Sequence, residues 1–146
     1  MVNVMKKIPS VLNYKDAPVI DFAKGVHTRF VISKEAHNSE LFTGYWHLKP
    51  DLDDVSWDAE GELDETFYCV KGSILFLWED KEGINGEIRG GEGDFIYLPS
   101  GFKYTLRATG EESIIIFSGA PNDPAIPSDY KEKLKKLGER LHKLEK

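Results

Sequence analysis

Seven short β-type runs follow one another between residues 26 and 119, and no helical period interrupts them. They are VHTRFVI (26–32), LFTGYWHL (41–48), TFYCVKG (66–72), SILFLWE (73–79), DFIYLP (94–99), KYTLRA (103–108) and SIIIFSG (113–119). All are rich in β-branched and aromatic residues, which suit a pleated, half-buried surface. Turn chemistry separates them. KEGING (81–86) ends on Asn85-Gly86, a hairpin dipeptide, and RGGEGD (89–94) and PSG (99–101) are further breaks. Parallel strands need long crossovers, so short strands this close together predict an antiparallel sandwich or barrel.

The last part of the chain reads differently. PNDPAIPSD (121–129) is a proline-rich connector, and Ser128 or Asp129 is placed to cap a helix that starts near 130 and runs to 146. Leu134, Leu137, Leu141 and Leu144 recur at spacings of three, four and three, a single apolar stripe. The expected organisation is one domain over 1–146: barrel about 26–119, connector 121–129, then the helix. The stripe is expected to lie on the barrel or against a partner subunit.

Charge and cysteine content narrow the partners. The net charge is −6, although the tail from Lys131 to Lys146 holds seven Lys/Arg against three Glu. Nucleic acid is therefore not expected, because no basic surface of the required scale is implied. No apolar run approaches bilayer-spanning length and no secretory signal is visible at the start, so no membrane partner is expected either. A single cysteine, Cys69, allows no intrachain disulfide. A reducing, cytoplasmic setting is the expectation.

The stretch DETFYCVKG (64–72) carries the functional question. Strand alternation puts Glu65, Phe67 and Cys69 on one face and Thr66, Tyr68 and Val70 on the other. A carboxylate sharing a face with Phe and Cys either faces solvent or lines a pocket.

Two patterns on these strands resemble the sequence motifs of the cupin superfamily. Glu65 lies seven positions before Gly72 in ETFYCVKG. Gly93 lies six before Pro99 in GDFIYLPSG, where Gly101 follows. The resemblance covers roughly 41–119 and implies an all-β, jelly-roll barrel, often dimeric, with its ligand site inside. ELDETFYCVKG followed by GDFIYLPSGFKYTLRA is similar to the EutQ-like cupins, and more weakly to ectoine synthase. Metal-binding cupins carry two histidines before the motif glutamate and one after the Pro-x-Gly turn. Here Asp58 and Glu60 stand nearest the first two positions and Tyr104 takes the third. His27, His37, His47 and His142 all lie outside both motifs.

In such a barrel Glu65 points inward. Three readings follow. In the first, Glu65 is the general acid/base of a metal-free lyase, isomerase, hydrolase or transferase step, and Tyr104 hydrogen-bonds a developing oxyanion. Phe67, Cys69, Trp57 and Tyr97 then line the cavity of a small polar metabolite. In the second, Asp58, Glu60, Glu65 and Tyr104 form an all-oxygen site for a hard divalent cation or, by analogy with ectoine synthase, iron; tightly bound zinc or copper is not expected. In the third, the barrel is a non-catalytic binding module. Each reading competes with a plainer one, in which Glu65 is neutralised by a buried Lys or Arg and Tyr104 is a core aromatic. Cys69 is expected to be an inert thiol, since no His or Lys lies beside it. A homodimer is expected, with the leucine stripe as one apolar face.

Overall fold

The computed structural model describes residues 9–59, 62–121 and 126–144, with side chains through 141 in the last segment. Its elements run as a 3-10 turn (Tyr14–Asp16), β1 (Val19–Ala23), β2 (Val26–Ile32), α1 (Lys34–His37), β3 (Phe42–Leu48), β4 (Val55–Asp58) and β5 (Leu63–Lys71). They continue as β6 (Ser73–Glu79), β7 (Asn85–Gly91), β8 (Phe95–Leu98), β9 (Lys103–Arg107), β10 (Ser113–Pro121) and α2 (Ser128–Leu144). Two antiparallel sheets form, one ordered β1-β2-β3-β10-β5-β8 and the other β4-β9-β6-β7. The fold is all-β, as the strand pattern predicted, and of jelly-roll type, as the cupin resemblance implied, with one long helix at its C-terminal end.

Alternation builds the core. Val26, Thr28 and Phe30 on β2, Phe42, Trp46 and Leu48 on β3, Phe67 and Cys69 on β5, and Ile115 and Phe117 on β10 all face inward from the larger sheet. Ile74 and Phe76 on β6 and Tyr104 and Leu106 on β9 meet them from the smaller one. Rings dominate the middle. Phe67 lies 5.1 Å from Trp46 and 4.8 Å from Phe76, centroid to centroid. Each such ring removes on the order of 150–250 Å² from water, the main favourable term in a barrel of this size.

Four elements depart from the sequence reading. The larger sheet starts earlier than residue 26, because β1 pairs antiparallel with β2 from Val19. No strand is predicted between residues 48 and 66, yet β4 lies there; it is only four residues long and pairs antiparallel with β9. Asn85-Gly86 is not the hairpin turn. The turn lies at residues 80–84, where Asp80 Oδ1 accepts from the backbone N–H of Glu82 and of Ile84 (both 2.9 Å) and Gly83 takes φ +84°. An Asp at the first turn position satisfies those donors, and Asn85 and Gly86 then pair with Glu79 and Trp78. Finally, the one-turn helix α1 was not foreseen; Ser33 caps it through Oγ to the Ala36 N–H.

Three leucines of the stripe, Leu134, Leu137 and Leu141, are spent inside this chain. Tyr130 and Leu134 pack into the barrel core, and Leu137 with Leu141 packs on Ala17 and Ala36. Leu134 is fully buried, so it is not a free dimer face. Leu144 and His142 lie outside the described side chains. Gly138 has a packing reason. A Cβ there would sit 2.6 Å from the Ala36 carbonyl oxygen, so α1 and α2 meet only because the side chain is missing.

Candidate functional site

Glu65 is the buried carboxylate of the barrel. On β5 it pairs with Gly119 of β10 and Leu98 of β8, and it is 6% exposed. Phe67 and Cys69 are buried on the same face, while Thr66 and Val70 are exposed on the other. Among the described residues no Lys, Arg or His is ion-paired to Glu65.

Its hydrogen-bond partner comes from the opposite sheet. Trp57, on β4, donates Nε1–H to Glu65 Oε1 at 2.8 Å. Trp57 pairs in register with Tyr104 of β9, and the two rings lie 5.7 Å apart. The side chains of Trp57 and Tyr104 thus approach β5 from the smaller sheet. Burial pushes the Glu65 carboxyl from an ordinary 4.5 up to about 7, and the Trp57 bond only partly opposes that.

The Tyr104 side chain is already engaged. Its hydroxyl donates to the Pro99 carbonyl oxygen in the β8–β9 turn. Burial, followed by the Glu65 charge, pushes the phenol above the usual tyrosine range, so it stays protonated. The turn itself is fastened to the end of β4. Gly101 N–H donates to the Ala59 carbonyl (2.6 Å) and Ala59 N–H to that of Phe102 (2.9 Å). Gly101 has φ +100°, a conformation that disfavours any side chain, and Ser100 N–H bonds Asp64 Oδ1 at 2.9 Å. The Pro-Ser-Gly turn therefore positions Tyr104 and, through Ala59, the strand that carries Trp57.

The other predicted residues separate. Phe67 lies beside Trp57, with centroids 6.4 Å apart, and forms the apolar floor next to Glu65. Cys69 does not share that space. It is four residues further along β5, roughly 13 Å at the ordinary strand rise, beyond Phe67, and its thiol donates to the Lys71 carbonyl at 3.5 Å. Burial, with Glu92 and Asp94 nearby, pushes that thiol up and keeps it un-nucleophilic. Tyr97 is corrected as well: it alternates with the buried Ile96 and Leu98, stands 57% exposed and faces outward. Asp58 is exposed, next to Trp57 but on the opposite face of β4. Glu60 lies outside the described residues. Sequence reasoning treated Trp57 only as a wall. The signal for more was the alternation in VSWD, which becomes readable once that segment is known to be a strand.

The comparisons fit this architecture. No family model matches the chain. Over 78 residues it is 32% identical to a candidate dioxygenase of Saccharolobus solfataricus, a match that covers 53% of this chain and only 18% of that protein. Among solved structures, KdgF from Halomonas sp. superposes with a TM-score of 0.61 at 18% identity, over 80% of this chain and 96% of that one. A deletion variant of Bacillus subtilis oxalate decarboxylase gives 0.64 at 21% identity, over 82% of this chain and 32% of that one. The EutQ protein of Clostridium difficile gives 0.53 at 17% identity, over 80% and 77%. These neighbours are cupins, and at such identities the likeness concerns the fold. The chain is a cupin-fold jelly-roll barrel. Within that class it carries a buried Glu65 bonded to an indole and lacks the motif histidines.

Metal is a live question for this fold, since Bacillus subtilis oxalate decarboxylase has Mn(II) centres. The donors at Glu65 do not suit one. An indole N–H has no lone pair to offer a cation, yet it occupies a Glu65 oxygen. The Tyr104 phenol is protonated and committed to Pro99. Of the proposed set, Asp58 faces away from Glu65 and Tyr104, and Glu60 lies outside the described residues. Among the described residues no group of three or more His, Cys, Asp or Glu is placed to hold a metal ion.

Proposed function

We propose that this chain binds a small polar metabolite inside the barrel and acts on it by proton transfer, with Glu65 as acid and base. The observation that carries this reading is a carboxyl 6% exposed, raised to about 7, with an indole as its partner and no cation paired to it among the described residues. A group that exchanges its proton near neutral pH is suited to lyase or isomerase steps, or to a hydrolase or transferase step through water. Trp57 orients the carboxyl and Phe67 excludes water beside it. Tyr104 packs on Trp57 and keeps the Pro99 turn closed; it donates to a ligand only if it gives up Pro99. Two further polar atoms of the interior, Thr28 Oγ1 and Trp46 Nε1, are buried without a partner among the described residues and belong to residues paired across β2 and β3.

A non-catalytic binding module is the second reading. It is favoured by the same packing, since Trp57 already occupies one Glu65 oxygen and the Tyr104 hydroxyl is spoken for. The two separate by experiment. A panel of small polar acids and alcohols, beginning with the oxalate named for a structural neighbour, is screened by thermal shift and product analysis. Hits that lose binding and turnover in Glu65→Gln, while the variant stays folded, support acid/base catalysis. Binding without turnover supports the module, and no compound whose binding depends on Glu65 ends both.

We further propose a homodimer. On the outer face, Phe95 is 77% exposed and its ring lies 4.5 Å from that of Tyr68, with Val70 and Tyr97 also exposed around it. Strand β8 is one of the two edge strands of its sheet. Light scattering that returns twice 16.6 kDa, falling to one chain in Phe95→Asp, is the expected result; a monomer at micromolar concentration counts against it.

A further inference from the structure

The outer face of the larger sheet carries a cleft of about 310 Å³ remote from Glu65, lined by Tyr14, Val19, His27, Arg29, Tyr45 and His47. Alternation explains the lining: Val26, Thr28 and Phe30 face the core, so His27 and Arg29 face out, and Tyr45 and His47 do the same on β3. His27 and His47 are directly paired across the strands, as are Arg29 and Tyr45, which makes the floor a two-by-two array.

Arg29 is held in place by neutral groups. Its Nη1 donates to the carbonyls of Ala17 (2.5 Å) and Lys15 (3.2 Å), and its guanidinium lies 5.9 Å from the centroid of Tyr14. Tyr14 in turn stacks on Tyr45 at 4.6 Å. Among the described residues no carboxylate pairs with Arg29. A half-buried guanidinium with one nitrogen tethered and no counter-ion is a preorganised oxyanion receptor, because its fork matches the oxygens of a carboxylate, sulfate or phosphate.

Further charged groups surround the receptor. His27 Nδ1 meets Asp21 at 2.5 Å, and His47 Nε2 meets Glu112 at 3.5 Å, with Lys49 on the same Glu112. Lys15 lies beside Tyr14. The cations Arg29, Lys15 and Lys49 outnumber the carboxylates Asp21 and Glu112, so the surroundings of the cleft favour an anion.

We infer that this cleft is a binding site for a small oxyanion, gripped by Arg29. The site is independent of the reading offered for Glu65. Sulfate and acetate are the probes, since both are oxyanions and they differ in shape. Titrations at low ionic strength are followed by NMR of the Arg29 side chain, the two imidazoles and the Tyr14 and Tyr45 rings. Saturable shifts confined to those groups are expected. Arg29→Gln should weaken binding by roughly tenfold or more. Should Arg29→Gln fail to fold, Arg29→Lys, which keeps the charge and loses the fork, decides together with the location of the shifts. No saturable shift at millimolar probe, shifts centred elsewhere, or undiminished binding in the Arg29 variants would overturn the site. A preference for sulfate points to phosphate-like ligands, and one for acetate to carboxylates.

Discussion

The indole of Trp57 on the four-stranded sheet and the carboxylate of Glu65 on the six-stranded sheet are joined by one 2.8 Å hydrogen bond across the interior of the barrel. The bond favours the charged form of a group that burial drives toward neutrality. Trp57→Phe keeps an aromatic ring and removes the donor. A hydrogen bond to a charged group is worth about 1.5–3 kcal/mol, so the Glu65 titration should move up by roughly one pH unit or more. Carboxyl carbon NMR of Glu65 reads this directly, and an unmoved titration would mean that the indole does not hold the carboxylate.

Glu65 also sets a pH dependence of stability. Its folded value of about 7 lies above the ordinary 4.5. Between those values the folded chain keeps the proton that the unfolded chain has lost, so stability falls as pH rises through that window. The loss is complete above it and amounts to about 3 kcal/mol. Glu65→Gln lacks this slope. Urea unfolding of both proteins on either side of the window should show the variant gaining on the wild type by about that amount as pH rises; parallel profiles would count against a desolvated carboxyl.

Tyr104→Phe should act first on structure. It strips the Pro99 carbonyl of its donor, at a cost of about 1 kcal/mol, while the ring contact with Trp57 remains. Thermal unfolding checks the cost. Any ligand binding found by the screen should suffer less than in Glu65→Gln, and an equal loss would move Tyr104 into the chemistry.

Gly138→Ala sets propensity against packing. Alanine favours a helix interior by about 1 kcal/mol. The added Cβ, however, would lie 2.6 Å from the Ala36 oxygen and 2.9 Å from its Cα, both backbone atoms that cannot swing aside. Overpacking costs typically about 1–3 kcal/mol, so the variant should melt lower than wild type. A higher melting temperature would show that α2 is not docked on α1.

Much of the fold was written in local pattern. Alternation in ETFYCVKG set the facing of Glu65, Phe67 and Cys69, and β-branched and aromatic runs marked the strands that pack the core, because those signals are carried by neighbours in sequence. The strands β4 and β7 were not legible, because VSWD and NGEIRGG become strands through the partners they meet. The same limit hid the site. The sequence reading put Trp57, Cys69 and Tyr97 in one cavity, and the cupin resemblance made Tyr104 the partner of Glu65. Tertiary structure gave that partnership to Trp57, turned Tyr97 to the outside, set Cys69 beyond Phe67 and tied the Tyr104 hydroxyl to Pro99. A strand's own sequence fixes which way its side chains point. Which side chains meet across a barrel depends on register, curvature and the approach of the second sheet, and these are set by the packing of the whole chain.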